Sequence, residues 1–138
     1  MLSKTGKHAL LALISLAELE SGQSAGASQI AEEIGAPGNY LGKLLKQLAS
    51  EGILESRKGF GGGFRLARPA NKITLFDVIE PFDKVSRWNG CFLSGDRCSD
   101  RAPCAVHKRW GKVRIQYLEF LKKTTIAELA QKKVKSIK

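Results

Sequence analysis

Acidic residues are scarce. Thirteen Asp and Glu stand against twenty-three Lys and Arg, giving a formal charge of +10 over 138 residues. That imbalance favours an anionic partner, with nucleic acid the first expectation and plain solubility the alternative. Histidine is scarce as well. The two residues, His8 and His107, supply little acid–base equipment, and no set of nucleophile, base and orienting group is visible. The chain therefore does not read as an enzyme, and no small-molecule substrate is expected. Cysteine occurs three times, at Cys91, Cys98 and Cys104. An odd number without an export signal argues against a disulfide framework. Long apolar runs are missing too, since no stretch approaches the ~20 residues of a membrane span. The apolar segment from Leu10 to Leu19 is broken by Ser15 and Glu18, and no small-residue cleavage site follows it. The expected location is the cytoplasm, with no membrane partner.

What is present is ordinary globular material, 43% hydrophobic and 26% charged. The length fits one domain, or one domain with a short appendage, and can bury a real core. Charge is uneven. Residues 1–66 carry seven basic and six acidic groups, whereas residues 67–138 carry sixteen and seven. Between Ser56 and Phe76 lie Arg57, Lys58, Arg65, Arg68 and Lys72 with no acid among them.

The dense apolar positions from Ala9 to Leu19 predict a mostly buried helix, with Ser3 as a possible cap and Ser21-Gly22 as its stop. Ser28 is read as the cap of a short second helix that Gly35 ends. Asn39 is read as the cap of a third helix, in which Leu41, Leu44, Leu45 and Leu48 form one apolar stripe closed by Gly52. Two short helices around a tight turn make a helix-turn-helix candidate. The opposite face of the third helix carries Asn39, Tyr40, Lys43, Lys46 and Gln47, which can reach phosphates and base edges; the competing reading is a solvated face. The next segment decides between them. Ile53-Leu54, then Gly59-Phe60-Gly61-Gly62-Gly63, then Phe64-Arg65-Leu66 predict a β-hairpin wing flanked by basic side chains. No Walker-type ending follows the glycines, so a nucleotide cradle is not favoured.

Thr74-Leu75-Phe76-Asp77 predicts a capping box opening a helix that ends near Pro81-Phe82. From Asp83 to Pro103 periodicity is lost, and a loop of about twenty residues is usually functional. Pro103 is expected to start a long helix. Its Val106, Trp110, Val113, Tyr117 and Phe120 recur at heptad-like spacing, with Leu121 beside them. That seam predicts a dimerisation helix; packing against Leu10–Leu19 of the same chain is the competitor. Thr125-Ile126-Ala127-Glu128 predicts a second capping box and a last short helix.

The cysteines are spaced Cys-x6-Cys-x5-Cys, and His107 follows Cys104 by three residues. On one helix, positions 104 and 107 would share a face. Three soft donors and an imidazole make a ligand set for zinc or an iron–sulfur cluster, and gaps wider than the usual Cys-x2–4-Cys of structural zinc tilt toward the cluster. Three unligated, redox-reactive thiols are the alternative.

With these parts assembled, the sequence resembles the winged-helix transcriptional regulators of the Rrf type, in their IscR/NsrR-like iron–sulfur branch. The resemblance covers nearly the whole chain. It is carried by Lys7-His8-Ala9-Leu10, Ile30-Ala31, Tyr40-Leu41 with Leu44, and Gly61-Gly62-Gly63-Phe64-Arg65-Leu66. Ile73-Thr74-Leu75-Phe76-Asp77-Val78-Ile79, the three cysteines and Thr125-Ile126 complete it. It implies a mainly α fold with a small β-hairpin wing: a winged helix-turn-helix domain over 1–82, a cysteine-rich cluster loop over 83–104, and a dimerisation helix with a short C-terminal helix over 105–138. It implies a homodimer on partly palindromic double-stranded promoter DNA. Operator binding would be controlled by an iron–sulfur cluster sensing redox state, nitric oxide or cluster supply. In the branch holding a [2Fe–2S] cluster, three cysteines and a histidine ligate it, which maps onto Cys91, Cys98, Cys104 and His107, although the gap between Cys91 and Cys98 is slightly long. In the [4Fe–4S] branch an acid from the partner's first helix ligates instead; Lys7 stands at that position here, with His8 adjacent. The [2Fe–2S] form with His107 is favoured. The residues expected to meet DNA are Ser28, Asn39, Tyr40, Lys43, Lys46, Gln47, Arg57, Lys58, Gly61 and Arg65. The alternative within the same class is a regulator with a cluster-free thiol switch or a zinc site.

Overall fold

Ser3 opens the first helix, α1 (Lys4–Ala17), by accepting a hydrogen bond from the Gly6 amide at 2.9 Å. This computed structural model describes residues 2–20, 22–59, 62–86 and 106–131. Helix α1 buries His8, Ala9, Ala12, Leu13 and Leu16, one stripe at helical spacing. It stops before the expected Ser21-Gly22, because its last turn tightens: the Leu19 amide bonds to the Leu16 carbonyl at 3.2 Å.

Helix α2 (Ala27–Ile34) starts two residues earlier than a Ser28 cap allows, so Ser28 is inside the first turn and Gly26 occupies the cap position. The reason is upstream. Ala25 exchanges two backbone hydrogen bonds with Phe64, at 3.0 and 2.8 Å, which holds the chain extended up to the helix start. Gly35 ends α2 in the left-handed region at φ 73°, as its position suggests. Helix α3 (Gly38–Ser50) likewise begins before Asn39. Pro37 takes the cap position at φ −63°, and a proline there fixes the chain for helix entry. Leu41, Leu44, Leu45 and Leu48 are buried as the stripe requires.

Strands β1 (Leu54–Arg57) and β2 (Gly63–Leu66) form the antiparallel wing, with Leu54 opposite Leu66 and Arg57 opposite Gly63. A 3-10 turn over Ala70–Lys72 leads to α4 (Leu75–Asp83), whose Thr74–Asp77 capping box is complete. Helix α4 continues through Pro81 to a left-handed cap at Lys84. Residues 87–105, which include Cys91, Cys98 and Cys104, lie outside the described residues.

Helix α5 runs His107–Lys123, with Val106 at its cap, later than the Pro103 start expected from sequence. The expected shared face of Cys104 and His107 involves a position outside the described residues. The heptad-like seam also divides. Leu121 is buried, Tyr117 and Leu118 pack on the core, and Val113 and Phe120 stand 51% and 54% exposed. Helix α5 docks against α4, and the Lys122 ammonium lies 5.0 Å over the Phe76 ring. Helix α6 (Ile126–Gln131) then returns to pack on α1. Its Thr125–Glu128 capping box is present. The two cap threonines meet: Thr74 and Thr125 form an antiparallel bridge, flanked by Leu75 N–H to Thr124 O and Ile126 N–H to Ile73 O, each at 2.9 Å. The core thus draws on α1, α2, α3, the wing, α4, Leu121 of α5 and Ile126 of α6.

Candidate nucleic-acid interface

Helix α3 has three longitudinal faces. The leucine stripe is buried. On the opposite side Asn39, Lys43, Lys46 and Ser50, spaced four, three and four, form one exposed line. Between them lies a flank with Tyr40 and Gln47, seven residues or two turns apart. Both flank side chains are engaged inside the molecule. Tyr40 is half-buried, and its hydroxyl shares a 3.1 Å hydrogen bond with Nδ1 of the buried His8 on α1. The rings meet edge to face at 5.5 Å. The Gln47 amide Nε2 donates to the Pro81 carbonyl of α4 at 3.3 Å. The sequence expectation places both residues with the DNA-facing set, and the structure shows the internal hydrogen bond each one makes.

The basic strip divides by partner. Arg65 pairs with Glu55 directly across the wing, at 2.8 Å, and Arg68 with Asp77 at 3.7 Å. Lys43, Lys46, Arg57 and Lys58 are exposed, and among the described residues no carboxylate lies within ion-pair distance of them. Gly61 lies outside the described residues. Ser28 is exposed in the first turn of α2. Neither α2 nor α3 has a side-chain cap, so the amide groups of their first turns have no side-chain acceptor at the cap position.

The wing is fixed to this surface by backbone. Gly63, at φ +144°, lies against the Ala25 peptide so closely that a β-carbon would stand 2.5 Å from the Ala25 carbonyl oxygen. The Ala25–Phe64 bridge follows directly from that approach.

Of the imidazoles, His107 occupies the first position of α5, half-buried, and His8 is buried against Tyr40. Burial lowers the His8 pKa below its usual 6.5, and the Lys4 and Lys7 charges lower it further. The folded state therefore binds that proton less readily than the unfolded chain. The associated stability is full above pH 6.5 and is lost as pH falls through that value towards the lower folded pKa. Thermal melts from pH 7.5 to 5 should show the decline, and His8→Gln should flatten it; an equal slope in both proteins would refute the assignment.

The Rrf2 family profile, described as "Iron-dependent Transcriptional regulator", matches residues 2–132. A protein of Aquifex aeolicus (strain VF5) named as an HTH-type transcriptional regulator is 37% identical over 129 residues, covering 92% of this chain and 89% of that one. Among solved structures, CymR, the global cysteine regulator of B. subtilis, is similar at a TM-score of 0.79 and 24% identity, over 95% of this chain and 96% of that one. IscR of T. potens is similar at 0.76 and 22% identity, over 100% and 91%. The match over nearly the full length, on a helix-turn-helix followed by a wing, decides the assignment: the chain belongs to the Rrf2 family of transcriptional regulators.

Proposed function

We propose that this regulator works as a homodimer that reads double-stranded promoter DNA with the outer line of α3 and the wing. We propose further that an iron–sulfur cluster held by Cys91, Cys98, Cys104 and His107 controls that binding. The observation that carries the DNA reading is the division of cations: Arg65 and Arg68 pair with Glu55 and Asp77, whereas Lys43, Lys46, Arg57 and Lys58 are exposed and have no acid partner among the described residues. Asn39 would reach base edges in the major groove, Lys43, Lys46 and Ser28 the phosphates lining it, and Arg57, Lys58 and Gly61 the adjoining groove or backbone. The amide groups at the starts of α2 and α3 add anion-binding dipoles.

The donor set fits a cluster. Three thiols and one imidazole are the soft ligands that iron–sulfur centres take. His107, at the start of α5 directly after the cysteine segment, is favoured over the buried His8 as the imidazole to complete the set. When bound, a cluster supplies a centre that reacts with oxidants and nitric oxide. The protein's part is to hold the thiolates, which Arg97, Arg101, Lys108 and Arg109 nearby in sequence favour by charge. A [2Fe–2S] cluster is favoured over [4Fe–4S] because His107, not an acid from α1, completes the ligands. For the dimer, α5 exposes Val113 and Phe120, two turns apart on one face, at 51% and 54%, apolar surface that a second copy of the helix would cover.

Anaerobic purification tests the reading. The expected protein is coloured, carries near-equal iron and sulfide at about two of each per chain, sediments as a dimer, and shifts its affinity for a selected promoter fragment when the cluster is removed. A colourless protein containing zinc, or one with three free thiols and oxidation-sensitive DNA binding, would replace the cluster by the zinc or thiol switch. A monomer without preference for any duplex would end the proposal.

A further inference from the structure

We infer that Tyr40 and Gln47 are positioning residues that set the angle of α3 without touching DNA, one tied to α1 and the other to the end of α4. The inference rests on the DNA reading above and sharpens it. A recognition helix packed on one side by a leucine stripe can still roll about that stripe, because apolar contact is non-directional. Hydrogen bonds are directional, and two of them placed two turns apart on one flank remove that freedom. The first joins Tyr40 to His8 at 3.1 Å, with the phenol half-buried. The second joins Gln47 Nε2 to Pro81 O at 3.3 Å.

The acceptor sits at a fixed place. Pro81 lies in the last turn of α4, where helix carbonyls lack intrahelical partners. Two residues on, the Asp83 carboxylate accepts from the Ser3 amide at 3.1 Å and from the Ser3 hydroxyl. Ser3 is also the cap of α1. The end of α4 is thereby fastened to the start of α1 on one side and to α3 on the other, around a shared cleft lined by Leu2, Ser3, Thr5, Gln47, Pro81 and Asp83. The exposed line Asn39–Lys43–Lys46 is held at the angle these two ties impose.

The conservative changes Tyr40→Phe and Gln47→Met remove each tie and keep the shape. Each should lower affinity for a selected operator about threefold to tenfold. Preference at every base pair and the salt dependence should stay as in the wild type. Lys43→Ala, the contrast, should lower the salt slope by about one. In nitrogen-15 spectra the Gln47 carboxamide, identified by its loss in Gln47→Met, should exchange more slowly than that of the exposed Gln29 and show no intermolecular Overhauser effect with the duplex. Loss of discrimination at a single base pair in either variant, or an Overhauser effect from either side chain to DNA, would overturn the inference and leave the DNA reading intact. Wild-type protein that selects no duplex would overturn the proposed function and this inference with it.

Discussion

Replacing Gly63 by alanine should destabilise the protein by about 2–4 kcal/mol and release the wing from the helix-turn-helix. The added β-carbon would stand 2.5 Å from the Ala25 oxygen, 2.6 Å from its carbonyl carbon and 2.9 Å from the Gly26 nitrogen. These are backbone atoms and cannot swing aside as a side-chain tip would. The φ of +144° adds strain for any residue with a β-carbon. Relief requires β2 to move away, and that breaks both Ala25–Phe64 hydrogen bonds. Gly35 supplies the control. It also has positive φ, at 73°, but a β-carbon there meets nothing within 4 Å. Gly35→Ala should therefore cost only the left-handed backbone preference, about 1 kcal/mol. Denaturant titration of the two variants measures the difference. Equal losses would show that β2 is not seated on Ala25.

The second large effect concerns charge. Alanine at Lys43, Lys46, Arg57 and Lys58 together should flatten the salt dependence of operator binding by about 3–4 in slope per bound protomer, since each phosphate contact contributes ~0.9. The matching double replacement of Arg65 and Arg68 should change the slope by less than about one, because those guanidinium groups already face Glu55 and Asp77. Both pairs are well exposed, so their loss should cost little stability, about 0–1 kcal/mol each. Fluorescence anisotropy on a labelled duplex between roughly 50 and 200 mM salt reads the slopes directly. Equal slope changes in the two sets would remove the distinction between paired and free cations, and with it the outlined interface.

Much of the architecture was legible because its signals are local. The leucine stripe of α3, the glycine after α2, the wing and both capping boxes each depend on residues within one or two turns of chain. What escaped depends on residues far apart. Ser28 and Asn39 are good caps by type, yet the Ala25–Phe64 bridge and Pro37 start their helices earlier. Tyr40, Gln47 and Arg65 have the chemistry of DNA contacts, and only the fold reveals that His8, Pro81 and Glu55 engage them. A sequence signal existed for one of these: Glu55 and Arg65 are the acid and base nearest the glycine turn on either arm, and hairpin register sets them opposite each other. For Gln47 no such signal exists, because Pro81 offers a backbone carbonyl, which every residue has. In α5 the aromatic spacing identified a helix with apolar surface to cover, but not the division by which Leu121 is buried while Val113 and Phe120 face out.

The meeting of the two cap threonines ties together parts of the polypeptide some fifty positions apart, Thr74 and Thr125. Ile126, fully buried, completes a core to which α1 contributes from the opposite terminus. Trimming the chain to its DNA-reading half would therefore not yield an autonomous unit. A proteolytic nick at Lys122 or Lys123 would loosen the backbone donor of Ile73 and wet the interior between α6 and α1, so damage far from the duplex would silence it.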